Sequence, residues 1–335
     1  MKKLFSLLIL LSVFVFQDSF AAEIDSVTPR NIDLDNSLES INTIFDQRMQ
    51  EGIEKANAKQ GDIEYIGANE FCDEEILYTE MRKAIFQSFT ASWGLKGYGL
   101  DKQLRVLLAK QSFSLPLNDS IYRDISYLEG LSLNMKGLSD VVNIDKHLIG
   151  LDKMGHFFAQ GWQYFELTQY KEQNIDQALK WGEEQETGKF GYTTTGIYSF
   201  ADLVANFNGW RFWNKVLLKE HDPLKGAINS FYNKPYITCE IQIIASIKNN
   251  RIVKAWEKNT RFDLLEYVDG AWDEGNNGNY YEDSVIEKKV SSRINNVDSD
   301  FIYPVLAKEC LTAQIKYGYY AKHVLHPSCL SATKG

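Results

Sequence analysis

The spacing of apolar residues predicts that most of this chain is helical. Over residues 35–57 and 72–91 an apolar side chain recurs every three or four positions, which is the spacing of one helical face. The first of these stripes consists of Leu38, Ile41, Phe45, Met49 and Ile53. Similar patterns predict further helices over residues 151–168, 176–185, 199–218, 284–294 and 303–320.

Three other stretches bear on the fold class. Residues 104–134 contain short apolar runs broken by Pro116 and Gly130, which favours a few strands or hairpins, although LRVLLAKQ suits a helix equally well. The pattern over residues 138–147 predicts a helix that leads into Gly150. The run ITCEIQIIASI alternates and is rich in isoleucine, so it predicts a strand, with a helix as the alternative. No repeat or linker divides the chain, so we expect one mainly α domain (α+β) over residues 22–335, with a small β element.

The N-terminus has the features of a bacterial secretory signal. Lys2 and Lys3 precede an apolar run from Leu4 to Phe16, and Ala21 ends a small-residue cleavage site. The sequence therefore predicts a signal peptide over residues 1–21 and a periplasmic or secreted protein, with an uncleaved anchor as the alternative. No other run of about 18 apolar residues exists, so we expect no integral membrane segment after the signal is removed.

Charge and cysteine content narrow the partners and the compartment. The formal net charge of −9 argues against nucleic acid, whereas an envelope component or a small molecule stays open as a partner. Four cysteines in an oxidising compartment favour disulfides. Among three connectivities we favour Cys310–Cys329 with Cys72–Cys239; free, buried cysteines are the alternative.

The helix predicted at 151–168 begins with the polar motif DKMGH. Asp152 and His156 lie four residues apart and therefore share a face, which Gln160 extends; Lys153 adjoins them. A carboxylate beside an imidazole stabilises its protonated form or orients it on a metal. The ordinary alternative is a capping Asp with a hydrogen-bonded core His.

A second candidate, Glu186, ends the next predicted helix and precedes the glycine-rich run TGKFGYTTTG. Glycines allow close backbone approach, so this carboxyl suits a general acid or base that faces a cleft. Neighbouring Glu183 and Glu184 support the alternative, an exposed residue on an acidic helix end.

The third candidate segment is SFADLVANFNG. Asp202 and Asn206 again lie four residues apart, and Ser199 has the spacing of a helix N-cap. Asp202 could be only a partner of the helix dipole. Asn206 and Gly209 lower helix stability in mid-helix, unless Gly209 packs against another helix.

Together the three segments predict one site within residues 151–213. We assign Glu186, His156, Asp152 and Asp202 to catalysis and Lys153, Asn206 and Gln160 to substrate binding. No motif requires a cofactor, although a divalent metal on His156, Glu186 and Asp202 fits the donor types. The later run WDEGNN, with Asp273 and Glu274, is either an acidic turn or part of the rim of the same cleft.

The ordered set DKxxHF, a Glu before a glycine-rich turn and SxxDLxANxxG resembles the signature of VanZ-like proteins and of a related group of uncharacterised periplasmic proteins and lipoproteins. In VanZ-like proteins these motifs lie on membrane helices, whereas the present segments are too polar to span a bilayer. The ExG run before a Thr/Gly-rich hairpin also resembles lysozyme-like glycosidases, which implies that Glu186 is an acid.

Two functions follow from this sequence. The first is an exported envelope protein that hydrolyses an envelope polymer or a lipid-linked substrate. The second is a non-enzymatic scaffold or binding protein whose polar residues form a buried network. An open cleft lined by His156, Glu186 and Asp202 would favour the enzyme, and full burial with mutual hydrogen bonds would favour the scaffold.

Overall fold

The computed structural model describes residues 23–61, 72–86, 100–188, 191–226, 233–244 and 251–331. The predicted signal peptide over residues 1–21 lies outside this part of the chain. Most described residues are helical, and the strands form small antiparallel sheets, as the sequence predicts. Among the described residues, no helix is both long enough and apolar enough to cross a bilayer.

Most of the described elements are helices. In chain order they are α1 (Leu38–Gly61), α2 (Glu74–Ile85), α3 (Leu100–Leu107), α4 (Leu131–Lys136), α5 (Asp152–Gly155), α6 (Gly161–Tyr170), α7 (Ile175–Thr187), α8 (Tyr192–Thr195), α9 (Phe200–Leu217), α10 (Ser284–Val297), α11 (Ala307–Tyr317), α12 (Ala321–Val324) and α13 (Pro327–Ser331). A π-helical turn, His156–Gln160, joins α5 to α6.

The strands of the described residues form three sheets. They are β1 (Ser112–Phe113), β2 (Val141–Ile144), β3 (His147–Gly150), β4 (Ile197–Ser199), β5 (Ile237–Ile244), β6 (Arg251–Lys258) and β7 (Asn279–Tyr281). The first sheet has the order β1-β2-β3, while β4 pairs with β7 and β5 with β6. The strand predicted in ITCEIQIIASI is therefore confirmed. The β4–β7 pair brings the WDEGNN region, which precedes β7, to the start of α9.

One prediction about secondary structure was wrong, and of another only the helical alternative and one short strand are observed. Residues 138–147 form most of the β2–β3 hairpin rather than a helix, because Asp145 and Lys146 both have positive φ angles (49° and 72°) and make a tight two-residue turn. Within 104–134 the described strand is only Ser112–Phe113, and LRVLLA belongs mainly to α3. The apolar spacing of that run is helical, and the helical alternative is the one observed.

Helix α9 is the centre of the molecule. Every residue from Phe200 to Val216 is buried, as expected for a helix surrounded by other elements. It crosses the π turn and α6 at two glycines: a Cβ on Gly209 would lie 1.8 Å from the carbonyl oxygen of Phe157, and one on Gly161 would lie 2.5 Å from the Cα of Gly209. The cost of Gly209 in mid-helix is therefore offset by backbone-to-backbone packing.

Aromatic rings and disulfides complete the core. Phe45 stacks on Phe262 with ring centroids 4.2 Å apart, and the indole of Trp213 donates to the Phe158 carbonyl at 2.9 Å. The cysteines pair as we expected, Cys72 with Cys239 and Cys310 with Cys329. The first pair ties two segments 167 residues apart, and the second holds the C-terminal helices together.

Candidate functional site

The structure brings the three predicted segments together around a buried lysine. Lys153 is 0% exposed, and its Nζ lies 2.8 Å from Asp152 Oδ2 and 2.5 Å from Asp202 Oδ1. A third ion pair, 2.5 Å long, joins it to Glu274 Oε1. The ammonium therefore links α5, the first turn of α9 and the loop before β7.

Glu274 comes from the acidic run that the sequence offered as a second candidate. Its carboxylate accepts hydrogen bonds from Ser199 Oγ (3.2 Å) and from Asn279 Nδ2 (2.9 Å). The β4–β7 pairing explains this position, because Ser199 and Asn279 are register partners. Ser199 also accepts from the Asp202 amide at 3.3 Å, so the predicted N-cap is confirmed.

His156 lies on the π turn and faces the same helix. Its Nε2 is 3.2 Å from Asp202 Oδ2, and its Nδ1 is 3.2 Å from the side-chain oxygens of both Gln160 and Asn206. The wider π turn places His156 and Gln160 on one face, and π turns recur at functional sites. Asn206 is fully buried, so its place in mid-helix serves this contact.

Glu186 ends α7 beside the start of α9. It is 1% exposed, and one carboxylate oxygen, Oε1, has no hydrogen-bond partner among the described residues. Burial raises the pKa of Glu186 well above its usual value, and the charge of Asp202 raises it further. The carboxyl therefore favours its protonated form, as a general acid would.

A residue that the sequence did not single out also joins the group. Glu23, near the start of the described residues, is 4% exposed, and its backbone carbonyl accepts from the Ser139 amide. Burial, then the charges of Glu274 and Asp202, raise its pKa well above the usual value. No local pattern marks Glu23, because its burial depends on distant parts of the chain.

We call this group the carboxylate cluster and define it as Glu23, Asp152, Lys153, Glu186, Asp202 and Glu274. Burial raises the pKa of Glu274 to about 7, with Lys153 opposing the shift. Burial alone would lower the pKa of Lys153, but the charges of Asp152 and Asp202 raise it, so the ammonium stays charged. Five carboxyl groups thus face one lysine.

The cluster is closed rather than open. His156, Glu186 and Asp202 are 3%, 1% and 5% exposed, and Gln160 and Asn206 are buried as well. A cavity beside Glu274 has a volume of about 10 Å³, which is room for one water at most. The predicted site residues therefore converge, but as a packed ionic centre.

A second polar group lies along the C-terminal half of α9. Arg211 binds Asp222 through two hydrogen bonds of 2.9 and 2.8 Å, and burial of the Asp222 carboxyl is outweighed by Arg211, which lowers its pKa. Lys215 donates to Glu266 at 2.6 Å. We call this group the Arg211 network and define it as Arg211, Lys215, Asp222, Lys225, Glu266, Asp269 and Lys316. No sequence pattern indicated it, since Asp222 and Asp269 lie in loops and Glu266 ends a short 3₁₀ turn.

Comparison with known proteins found no match that would assign this site to a family. The resemblance to VanZ-like proteins therefore stays a prediction that rests on the motifs. No family model, no curated protein and no solved structure matches this chain.

Proposed function

We propose that this chain is an exported protein of the bacterial cell envelope in which the carboxylate cluster has a structural, non-catalytic role. The observation that carries the proposal is Lys153, wholly buried and ion-paired with carboxylates from three segments. In this role the cluster locks the DKMGH motif and the loop before β7 onto α9. The partner would be another envelope component or a small molecule, bound outside the cluster.

Burial is the reason to prefer a structural role. An acid–base catalyst must reach the proton that it transfers, yet His156, Glu186 and Asp202 are almost inaccessible. A buried ion pair, by contrast, makes the loss of either partner costly, because the remaining charge is left uncompensated. The packing that excludes solvent from the cluster also makes the loss of one partner costly, so the cluster holds its segments together.

Two observations support the exported location. The N-terminal residues have the composition of a secretory signal. The cysteines form two pairs, which is typical of proteins that fold in an oxidising compartment.

One observation favours a second function, hydrolysis of an envelope polymer or a lipid-linked substrate. Glu186 is a buried carboxyl with a raised pKa and an unpartnered oxygen, beside a glycine-rich run. In this role it would be the acid, His156 would act as a base beside Asp202, and Asn206 would position the substrate. The cluster would have to open for substrate to enter.

Thermal unfolding of Lys153→Met tests the structural role. Without the ammonium, Asp152, Asp202 and Glu274 lose their counter-charge, and we expect stability to fall by about 3–5 kcal/mol. Lys215→Met is the matched control. Its partner Glu266 keeps a second ion pair, with Lys225 at 3.1 Å, so the expected loss is smaller.

Glu186→Gln separates the two functions. If the role is structural, wild-type protein incubated with labelled peptidoglycan or a lipid-linked glycan shows no turnover. Turnover that Glu186→Gln abolishes at unchanged Tm would replace the structural proposal with the hydrolase. Equal stability of Lys153→Met and Lys215→Met would also contradict the lock.

A further inference from the structure

The carboxylate cluster contains more negative charge than its own lysine can compensate. Five carboxyl groups are at most 5% exposed, and Lys153 is the ammonium among them. Buried carboxylates are costly unless paired, protonated or bound to a metal. The excess therefore calls for protons or for a further cation.

Three side chains of the cluster region have the donor types and the spacing of a metal site. Asp152, His156 and Asp202 each offer one donor atom, and these atoms all lie within 4.8 Å of one another. They come from α5, the π turn and α9, and all three are buried. Lys153 occupies one oxygen of each aspartate, Oδ2 of Asp152 and Oδ1 of Asp202, which leaves the second oxygen of each.

The ring of His156 can take two hydrogen-bonding arrangements, and one of them suits a metal ligand. In that arrangement the side-chain oxygens of Gln160 and Asn206, both 3.2 Å from Nδ1, accept from a proton on Nδ1. Nε2 then presents a lone pair towards Asp202 Oδ2, 3.2 Å away, and a metal ion bound to both atoms would hold them at that distance. The amide of Asn206 fits its neighbours better with its oxygen and nitrogen exchanged, so that it donates to Nδ1. This is the arrangement of the metal-free form, in which Nε2–H donates to Asp202 Oδ2.

Unpartnered oxygens give an independent indication. Asp152 Oδ1 and Glu186 Oε1 are buried and have no hydrogen-bond partner among the described residues. The charge of Asp202 raises the pKa of Glu186, so the two carboxyl groups lie close enough to interact. Buried acceptors without partners are rare and costly. A bound cation would be ligated by Asp152 and would compensate the charge beside Glu186.

We propose that Asp152, His156 and Asp202 bind one divalent transition-metal ion, Zn²⁺ or Mn²⁺. One imidazole with carboxylate oxygens suits these ions better than the all-oxygen sites of Mg²⁺ or Ca²⁺. The inference rests on the proposed structural role and extends it: the ion joins the DKMGH motif to α9, beside the lysine bridge. Glu186 and Gln160 lie around the ion rather than on it.

Metal binding by the full chain tests this proposal. Protein treated with EDTA and dialysed is titrated with Zn²⁺ and with Mn²⁺ by calorimetry, and its metal content and Tm are measured. We expect one ion per chain and a Tm that rises with metal concentration. Asp202→Asn should weaken binding by at least about 10- to 100-fold, the cost of losing even an outer-shell partner, whereas Asp222→Asn, which alters a partly buried carboxylate outside the donor set, should bind as wild type.

Co²⁺ provides a second readout if Asp202→Asn fails to fold. The visible spectrum of the Co²⁺ form should change in His156→Gln, whose amide can still bond to Gln160 or Asn206. A wild-type chain that retains no stoichiometric ion, shows no metal-dependent rise in Tm and gives no Co²⁺ spectrum would overturn the metal site. If Lys153→Met is nevertheless strongly destabilised, the structural lock stands and only the metal proposal fails.

Discussion

The two halves of α9 carry buried polar groups of opposite character. In the Arg211 network, four basic side chains meet three acidic ones, and ion pairs lower the pKa of Asp222 and of Glu266 despite burial. In the carboxylate cluster five carboxyls meet one lysine, and burial raises the pKa of Glu23, Glu186 and Glu274. One group is satisfied by its own charges, and the other requires protons or a cation.

This difference shows which buried network invites a ligand. The carboxylate cluster is the more buried of the two, since its carboxyl residues are at most 5% exposed, whereas the side chains of Glu266 and Lys316 in the Arg211 network are 29% and 25% exposed. What also distinguishes the cluster is the excess of one charge together with unpartnered oxygens. Perturbed acids of this kind are enriched at functional sites, whereas matched pairs are typical of structural networks.

The largest expected effect comes from the crossing of α9 with the π turn, which holds segments of the carboxylate cluster beside one another. Gly209→Ala places a Cβ 1.8 Å from the Phe157 carbonyl oxygen, so the π turn must move away from α9. We expect a loss of about 3 kcal/mol or more, at or above the upper end of the range typical of overpacking, because the clash is with backbone. Urea unfolding measures it, with Gly226→Ala as the control, since a Cβ there meets nothing within 4 Å. Similar stability of the two variants would contradict the close crossing.

The two regions should respond to pH in opposite directions. The raised pKa of Glu274, about 7 against an ordinary 4.5, means that folding favours the protonated carboxyl. Its contribution is complete below about pH 4.5 and is lost as the pH rises through 7, by up to about 3 kcal/mol. The lowered pKa of Asp222 has the reverse sign: its contribution is present above its ordinary value of 3.8 and is lost as the pH falls below it.

Tm measured in EDTA from pH 3 to 9 checks both signs. Glu274→Gln should flatten the decline between about pH 5 and 8, and Asp222→Asn should weaken the acid-side loss instead. If Asp222→Asn instead flattened the decline of Tm at neutral pH, the excess of negative charge would not lie in the carboxylate cluster, and this account of the two regions would be contradicted.

A smaller effect is expected at Ser199, which caps α9 and also donates to Glu274. Ser199→Ala removes the acceptor for the Asp202 amide and one donor to Glu274. We expect a loss of about 1–2 kcal/mol. The comparison is Asp263→Ala, which removes the cap of a short 3₁₀ turn outside the cluster and should cost less.

The sequence predicted the local features of the site and missed the distant ones. The Ser199 cap and the facing pairs at 152/156 and 202/206 follow from helical spacing, and the structure brings them together. Helix spacing also misled: residues 138–147 suit a helix until the turn at Asp145 and Lys146 is recognised. The burial of Glu23 and the pairing of Arg211 with Asp222 depend on tertiary packing, so no local pattern could have indicated them.

The chemistry of the site was less predictable than its position. The sequence indicated polar residues that converge, but an open cleft and a closed centre use the same residue types. What separates the two is burial, which the β4–β7 pairing and the Gly161–Gly209 crossing impose. Neither feature can be recognised from residue types alone.

The central claim is that Lys153 and the acids of the cluster stabilise the fold as one unit. A double-mutant cycle with Lys153→Met and Asp202→Asn measures it by urea unfolding. We predict that the double variant is more stable than the sum of the single losses by about 2 kcal/mol or more, while Lys153→Met combined with Asp222→Asn is additive. Additivity of Lys153→Met and Asp202→Asn within about 0.5 kcal/mol would contradict the account.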